Sequence, residues 1–271
     1  MTMAVKMIIW STEDETRMGL IENNLLIEYV VERTGEEHLV GSVFKGRVCN
    51  VIQGIQAAFV DIGLEQNAFL YLGDNTDITE GQSVLVQISK DVRSLKGPMA
   101  TRNITLQGKY TVLLPNAFYI GVSRKIMDKE ERERLISICE SVDHSGHGVI
   151  VRTAAEGVSK EILVEDIEAL AEEWRVLCAS EKMLKAPALL RRELDLPIRM
   201  VRDYLSYDLE EIVIDDNTVY RRIKELLETS NRGKDMKLIP YKGSEDTFTC
   251  FGCSPEIDSI SERKITLANG G

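Results

Sequence analysis

The sequence predicts an α+β fold that contains a small β-barrel, and three observations support this. Residues 6–32 hold three strand-like segments, "KMIIWS", "TRMGLIE" and "LLIEYVVE", with turn-like residues between them. Residues 39–113 hold many short strands separated by Gly, Asp and Asn, a texture typical of a small barrel. Residues 159–185 instead place apolar side chains at the spacing of one helix face.

Alternation along two of the short strands separates their aromatic residues from their aliphatic ones. In "QAAFVDIG" the small and aliphatic residues share one face, which leaves Phe59 on the other. In "NAFLYL" the same alternation places Phe69 on the face of Asn67 and Tyr71. Two phenylalanines outside a barrel core can stack on the bases of a single-stranded nucleic acid, or be covered by a neighbouring domain. The pattern leaves both interpretations open.

The predicted helices follow from caps and apolar stripes. Asp128, with Glu131 three residues later, predicts a capped helix. The long helix over 159–185 carries an apolar stripe that includes Trp174, which we interpret as core. Further on, "LEEIVIDD" reads as a strand and "NTVYRRIKELLETS" as a helix capped by Asn217, and the final "RKITLANGG" as a strand entering a turn.

Composition and charge narrow the class of protein. With 44% hydrophobic and 28% charged residues and no apolar run of membrane-spanning length, the 271-residue chain is predicted to be a cytoplasmic globular protein with no membrane partner. Its net charge of -11 argues against a surface built for unspecific nucleic-acid binding. Residues 90–125, however, hold seven basic residues and one acid, which suits a directed anionic ligand.

The cysteines and histidines do not form a recognisable metal motif. The five cysteines are odd in number and scattered, which does not suggest a disulfide framework. Cys250 and Cys253 form a C-x2-C pair, but a closed zinc site needs four ligands and no second pair lies near. His144 and His147 meet the same objection, so we expect no metal on either motif.

The stretch "GHGVIVRTAAEGVS" combines a short apolar strand with an arginine and a hydroxyl at its tip. Val149 to Val151 is followed by Arg152 and Thr153, then by small residues and Gly157. A surface turn would explain this pattern. So would a pocket for one small anion, in which a guanidinium and a hydroxyl donate hydrogen bonds to the ligand.

Several segments together resemble the ribonuclease E/G family. "VGSVFKGRVCNVIQGIQAAFVDIGLEQNAFL" resembles the family's S1 RNA-binding domain, and "YIGVSRKI", "GVIVRTAAEG", "VRDYLSYDLEEIVIDD" and "EIDSISERKITLANGG" follow in the family's order. The resemblance implies an RNase H-like subdomain made of residues 1–38 and 206–271. It further implies an inserted S1 domain of the OB-fold β-barrel type over 39–113 and an α/β 5′-sensor subdomain over 114–205.

The resemblance also implies two binding sites. In the S1 domain it assigns RNA contact to three residues: Phe59, Phe69 and Lys96. In the 5′-sensor it assigns recognition of an RNA 5′-monophosphate to five: Gly121, Val122, Arg124, Arg152 and Thr153.

For catalysis, the resemblance points outside this chain. The family cleaves RNA with two aspartates that hold Mg²⁺, in motifs that follow a stretch like "TLANGG", so we expect the catalytic residues beyond Gly271 and none within the chain. The Zn²⁺ link between family protomers is also expected later, and Cys250 and Cys253 do not match it. Asp215 and Asp216 are interpreted as strand-end and cap residues.

The implied parent protein is a homo-oligomeric Mg²⁺-dependent endoribonuclease acting on single-stranded, 5′-monophosphorylated RNA in ribosomal RNA maturation and messenger decay. This chain would capture RNA and sense its 5′ end, without cleaving alone. A non-catalytic S1-type RNA-binding module or paralogue is the alternative. An S1 protein that uses its aromatic residues for protein contact is a third possibility.

Overall fold

The computed structural model describes residues 5–33, 38–73, 77–91, 97–144, 146–204, 209–228, 236–243 and 245–261. The chain divides into two compact units, Met1–Glu37 with Asp195–Gly271, and His38–Leu194. The division into four subdomains expected above, with boundaries at 38/39, 113/114 and 205/206, stays a prediction.

Fifteen strands and six α-helices are assigned in the described residues. The strands are β1 (Val5–Ser11), β2 (Glu15–Glu22), β3 (Leu25–Arg33), β4 (Val43–Ile52), β5 (Ala57–Asp61), β6 (Ala68–Tyr71), β7 (Ser83–Lys90), β8 (Met99–Thr101), β9 (Leu106–Gln107), β10 (Thr111–Leu114), β11 (Ile120–Val122), β12 (Gly148–Val151), β13 (Ala188–Arg191), β14 (Leu209–Ile214) and β15 (Lys237–Pro240). The helices are α1 (Lys129–Glu140), α2 (Lys160–Met183), α3 (Leu196–Tyr204), α4 (Asn217–Glu228), α5 (Thr247–Cys250) and α6 (Ser254–Ser261).

The first unit is built on a five-stranded sheet of order β15-β14-β1-β2-β3. β1, β2 and β3 form the antiparallel meander expected from residues 6–32, and β14 pairs with β1 in parallel. Phe248 fills the core over this meander, and a Cβ atom added to Gly19 would lie 2.6 Å from its ring. Glycine is therefore required there by close packing.

The second unit contains a closed barrel of β4, β5, β6, β8 and β7, closed by pairing of β4 with β7. The predicted alternation is confirmed, because the aliphatic row of each strand lies in the barrel core. The buried residues of β5 and β6 in that core are Ala58, Val60, Ala68 and Leu70. The molecule is thus a mixed α+β protein with a barrel compatible with an OB-like fold.

A four-stranded sheet of order β11-β12-β10-β9 completes the second unit. Alternation gives the sheet one buried face, with Leu113, Val149 and Val151 inside, while Val112 and Ile150 lie half-buried on the other face. Helix α2 covers the buried face with its own apolar stripe: Leu163, Ile167, Leu170 and Leu177.

Two predicted helix caps differ in detail. Asp128 caps α1 by accepting the Glu130 N–H at 3.0 Å. Glu131 does not complete a capping box, because its carboxylate pairs with Arg134 and accepts the Gly157 N–H at 2.8 Å. At α4 the cap is Asp216, not Asn217, since Asp216 Oδ1 accepts the N–H groups of two helix residues, each at 2.8 Å.

The interpretation of Trp174 as core is wrong. Its side chain is only half-buried, and its ring meets His147 edge-on with centroids 6.3 Å apart. The next residue of the helix stripe, Leu177, three positions later, is buried again. The predicted final strand "RKITLANGG" and its turn lie entirely outside the residues that the structure describes.

Across the described ranges, no helix combines the length and the apolar character that crossing a bilayer would take.

Candidate nucleic-acid interface

Phe59 and Phe69 form a cross-strand pair on the outside of the barrel. They are register partners in β5 and β6, so their side chains leave the sheet on the same face. Their ring centroids lie 5.9 Å apart at an interplanar angle of 75°, an edge-to-face contact, and both side chains are half-buried. Each ring therefore holds its neighbour in place while keeping part of its surface accessible.

Two further side chains, one aromatic and one aliphatic, extend the surface formed by Phe59 and Phe69. Tyr71, two residues beyond Phe69 on the same face, is 61% exposed, and its hydroxyl donates to Gln56 Oε1 at 3.3 Å. Met99 of β8 is the register partner of Phe69 and is 37% exposed. Alternation along β6 predicts that Tyr71 lies on this face. How much of its ring is exposed depends on the packing of the closed barrel, which the local sequence does not show. Lys96, the third RNA-contact residue expected above, lies outside the described residues.

The second candidate site lies where β12 ends. The Arg152 N–H donates to the Tyr110 carbonyl at 2.8 Å, and the Arg152 guanidinium donates to the Gly108 carbonyl through Nη1 at 2.9 Å. Thr153 begins a short 3-10 helix, and its hydroxyl lies 2.8 Å from that of Ser123. The structure therefore brings the arginine and the hydroxyl to one strand end with their geometry fixed by hydrogen bonds.

Gly121 and Val122 lie on β11, which runs parallel to β12 in the register Gly121↔Ile150 and Val122↔Val151. A Cβ atom added to Gly121 would lie 3.6 Å from Ile150 and from the ring of Tyr119, an ordinary contact distance. The fold itself thus does not demand glycine there, and the missing side chain leaves room beside the sheet face. Arg124, just after β11, is exposed.

Arg132 of α1 holds the turn between β11 and that helix. Its Nη1 donates to the carbonyls of Ser123 at 2.6 Å and Ile126 at 3.0 Å, and its Nη2 donates to the Val122 carbonyl at 3.3 Å. Ser123, which meets the Thr153 hydroxyl, is fixed by this clamp. Sequence reasoning missed both Ser123 and Arg132, because neither role is visible before β11, β12 and α1 pack together.

Asp166 of α2 fixes the turn that receives the Arg152 guanidinium. Its carboxylate accepts three backbone N–H groups, from Lys109, Tyr110 and Thr111, at 2.9 to 3.2 Å, and the Thr111 hydroxyl at 2.6 Å. Burial lowers the pKa of Lys109 to about 8, although the Asp166 carboxylate acts in the opposite direction. The Lys109 amine lies 5.3 Å from the ring centroid of Tyr110.

A groove of about 410 Å³ lies between α2 and the segment before β12, with Trp174 and His147 among its walls. Its charged lining is mostly acidic: Asp143, Glu168, Glu172 and Arg175. The Arg175 guanidinium is already paired with Glu172. This groove is therefore poorly suited to a phosphate-bearing ligand, in contrast to the end of β12.

Metal ligands do not converge in the parts of the chain that the structure describes, since no group of three or more His, Cys, Asp or Glu side chains is placed to hold an ion. Cys250 is exposed beside Tyr241, whereas Cys253 is buried in the core of the first unit. Asp215 ends β14 and accepts the Ser11 N–H at 2.9 Å, in agreement with a strand-end role.

Comparison with known proteins gives consistent results. The profile of the ribonuclease E/G family matches residues 105–271. The chain is 33% identical to ribonuclease G of Haemophilus influenzae over 289 residues and 35% identical to ribonuclease G of Escherichia coli K12 over 291 residues, each match covering 99% of this chain and 59% of the relative. It is also 38% identical to ribonuclease E of a Nostoc species over 262 residues, covering 90% of this chain and 38% of the relative.

The chain therefore spans about three fifths of the length of the ribonuclease G relatives that it matches. The family profile alone covers more than half of the chain, and it includes the end of β12 with Arg152 and Thr153. The chain belongs to the ribonuclease E/G family.

Proposed function

We propose that this chain captures single-stranded RNA and senses its 5′-monophosphate within an endoribonuclease. In this proposal the barrel is an S1 domain, the sheet of β9 to β12 with α1 and α2 is the 5′-sensor, and the first unit is the RNase H-like part. The whole protein acts in the cytoplasm on ribosomal RNA precursors and messenger RNA, as a homo-oligomer.

The barrel surface supports RNA capture through stacking. The half-buried rings of Phe59 and Phe69 present part of their surface on the outside of the closed barrel. Tyr71 adds a third ring, which is exposed. Base–aromatic stacking tolerates any sequence because every base has a π-face. This surface would hold a single strand without reading its sequence.

The end of β12 supports recognition of a 5′-monophosphate, and this is the observation that carries the proposal. Arg152 supplies a guanidinium whose backbone and side chain are both anchored, and Thr153 supplies a hydroxyl beside that of Ser123. A planar guanidinium and two hydroxyls can donate several hydrogen bonds to one phosphate group. Gly121 has no side chain on the same sheet face, where the nucleotide that carries the phosphate would lie.

Sensing would then act by population shift. Binding of the 5′-phosphate in its pocket would favour the conformation in which the barrel holds RNA ready for cleavage, and that conformation would in turn favour phosphate binding. We further propose that the whole protein cleaves with Mg²⁺ and links its protomers through Zn²⁺. The described residues do not provide a set of ligands for either ion, so no step of cleavage is derived from them. The isolated chain is expected to bind RNA without cutting it.

The proposal is tested by fluorescence anisotropy with two short single-stranded RNAs of one sequence, one 5′-monophosphorylated and one 5′-hydroxyl, at fixed salt. Wild type should prefer the monophosphate, and Arg152→Ala should lose that preference by about tenfold, the range of a charge-assisted hydrogen bond. Arg175→Ala is the matched control, since it removes an exposed arginine that is paired with Glu172 on α2.

Equal binding of the two RNAs by wild type would overturn the sensing role and leave a barrel that only captures RNA. Cleavage by this chain in Mg²⁺, abolished by a substitution within it, would overturn the assignment of catalysis elsewhere. Absence of RNA binding would favour a barrel whose aromatic residues contact a protein. Thermal unfolding of each variant should be recorded, because the Arg152 side chain also anchors Gly108.

A further inference from the structure

Three large, exposed apolar side chains lie just before or after β11 in the sequence, and none has been given a ligand above. Phe118 is 89% exposed, Tyr119 is 56% exposed, and Met127 is 81% exposed. Large apolar side chains exposed together mark binding surfaces more often than single ones do. Here they flank a strand that also carries Gly121 and is followed by the exposed Arg124.

Tyr119 is the most firmly placed of the three. Its carbonyl accepts the Val149 N–H at 3.0 Å, which joins it to β12 one residue before β11 begins. Gly148 allows this close approach of the two strands, because an added Cβ atom there would lie 3.0 Å from the Tyr119 carbonyl and from Ala117. The backbone of Tyr119 is thus fixed by the sheet, although its ring is exposed.

The Tyr119 ring also lies on the sheet face that carries Arg152. Residues in register across parallel strands share a face, so Gly121 shares one with Ile150, and Arg152 lies two residues further along that face. The ring of Tyr119 comes within 3.6 Å of the Cβ position of Gly121 on this face. Two residues of strand span about 6.6 Å along the strand direction, and β11 is the strand next to β12, so Gly121 and Arg152 lie within the reach of one nucleotide.

We propose that Tyr119 is a stacking platform for the nucleobase of the 5′-terminal nucleotide. This inference rests on the proposed function, because it requires the 5′-phosphate at Arg152 and Thr153. A phosphate held at the strand end directs its own base across the sheet face at Gly121 and onto the ring. The ring lacks charge and hydrogen-bonds no particular base edge, so the platform accepts any base and holds the larger purines best.

The test uses the full chain and four short RNAs that are identical beyond their first nucleotide. Two begin with adenosine and two with an abasic ribose, each with a 5′-monophosphate or a 5′-hydroxyl. Tyr119→Ala should weaken binding of the phosphorylated adenosine RNA by about fivefold or more, the lower range for one stacked base. It should leave the phosphorylated abasic RNA unchanged, and Tyr119→Phe should behave as wild type.

Phe118→Ala is the matched control, because it removes the more exposed neighbouring ring and should leave all four affinities unchanged. The inference is overturned if Tyr119→Ala weakens the abasic and the adenosine RNAs equally, or neither of them. The latter result would instead mark the exposed rings as a protein contact. If wild type binds monophosphate and hydroxyl RNAs alike, the proposed function itself fails, and this inference fails with it.

Discussion

On the barrel, Phe59 and Phe69 are held by strand pairing and by one another, and what they offer RNA is ring surface. At the end of β12, Arg152 and Thr153 are held by hydrogen bonds to Gly108, Tyr110 and Ser123, which lie 30 to 44 residues away along the chain. The first surface follows from local alternation. The second exists only once three strands and two helices have packed.

The two regions should also differ in how they bind. Stacking on rings tolerates any sequence and depends little on charge, whereas a guanidinium on a phosphate is selective for a chain end and sensitive to salt. If the two act separately, variants of one region should change the affinity for every RNA, and variants of the other only the preference for a 5′-phosphate.

The largest effect is expected from Asp166→Ala, which would release the turn that anchors Arg152. The change removes the acceptor for three backbone N–H groups and the Thr111 hydroxyl, and Thr111 is fully buried. Since each unsatisfied buried group costs about 1–3 kcal/mol, we expect the free energy of unfolding to fall by about 3 kcal/mol. Urea denaturation measures this loss.

Asp166→Ala should also reduce the preference for 5′-monophosphate RNA, measured by anisotropy in conditions where the variant is folded. Binding of the 5′-hydroxyl RNA by the barrel should be kept. Glu168→Gln, an exposed change on the same helix, is the control. A variant that is destabilised but keeps the full phosphate preference would show that Asp166 supports the fold without positioning the pocket.

The next largest effect is expected from the double change Phe59→Ala and Phe69→Ala. At about 1–3 kcal/mol per stacked base, loss of both rings should weaken binding of every single-stranded RNA by about thirtyfold or more. The ratio between monophosphate and hydroxyl RNAs should stay as in wild type. Anisotropy with both RNAs measures the two quantities together.

The double leucine variant, Phe59→Leu and Phe69→Leu, separates stacking from packing because it keeps apolar bulk on the barrel without planar rings. We expect it to bind nearly as weakly as the alanine variant while unfolding closer to the wild-type temperature. Wild-type affinity in the leucine variant would mean that the rings only cover the barrel.

The difference between the two regions also explains what the sequence could predict. Alternation was enough to place Ala58 and Val60 inside the barrel and Phe59 outside, because a closed barrel has one buried face. Arg152 and Thr153 were recognised through a family resemblance, and the strand before them was visible. Their anchors were not, since nothing in a local pattern connects Thr153 to Ser123 or Arg152 to Gly108.

Trp174 shows that a local pattern can also place a residue wrongly. Its helical spacing matches a buried stripe, but the ring is only half-buried and lines a groove with His147 instead. At the α4 cap, Asp216 and Asn217 are both good cap residues by type. Only the backbone geometry at the end of β14 decided between them.

A smaller effect is expected from Tyr71→Ala, which tests how far the barrel surface extends. The ring is 61% exposed and lies two residues from Phe69 on the same face, so it should contribute one further partial stack. We expect a loss of about fivefold at most for RNAs long enough to reach it, with no change in phosphate preference. Tyr71→Phe should bind as wild type, and equal losses in both variants would show that the hydroxyl acts, not the ring.

The last prediction concerns the half-buried charge of Lys109, in the turn that receives the Arg152 guanidinium. Burial lowers the pKa of Lys109 from its ordinary value of 10.5 to about 8, so the folded chain gives up this proton more readily than the unfolded chain. Below about pH 7 both forms are protonated and the folded state carries the full cost of a half-buried charge. As the pH rises from about 8 to 10.5, only the folded form loses the proton, so stability should rise.

Because other groups titrate in the same range, the measurement is the difference between wild type and Lys109→Met. The free energy of unfolding, measured in urea at pH 7, 8, 9 and 10, should rise for wild type relative to the variant between pH 8 and 10. Below about pH 7 the difference should no longer depend on pH. Curves that stay parallel up to pH 10 would mean that the Lys109 amine is solvated, and that the turn under Arg152 is held by Asp166 without a buried charge beside it.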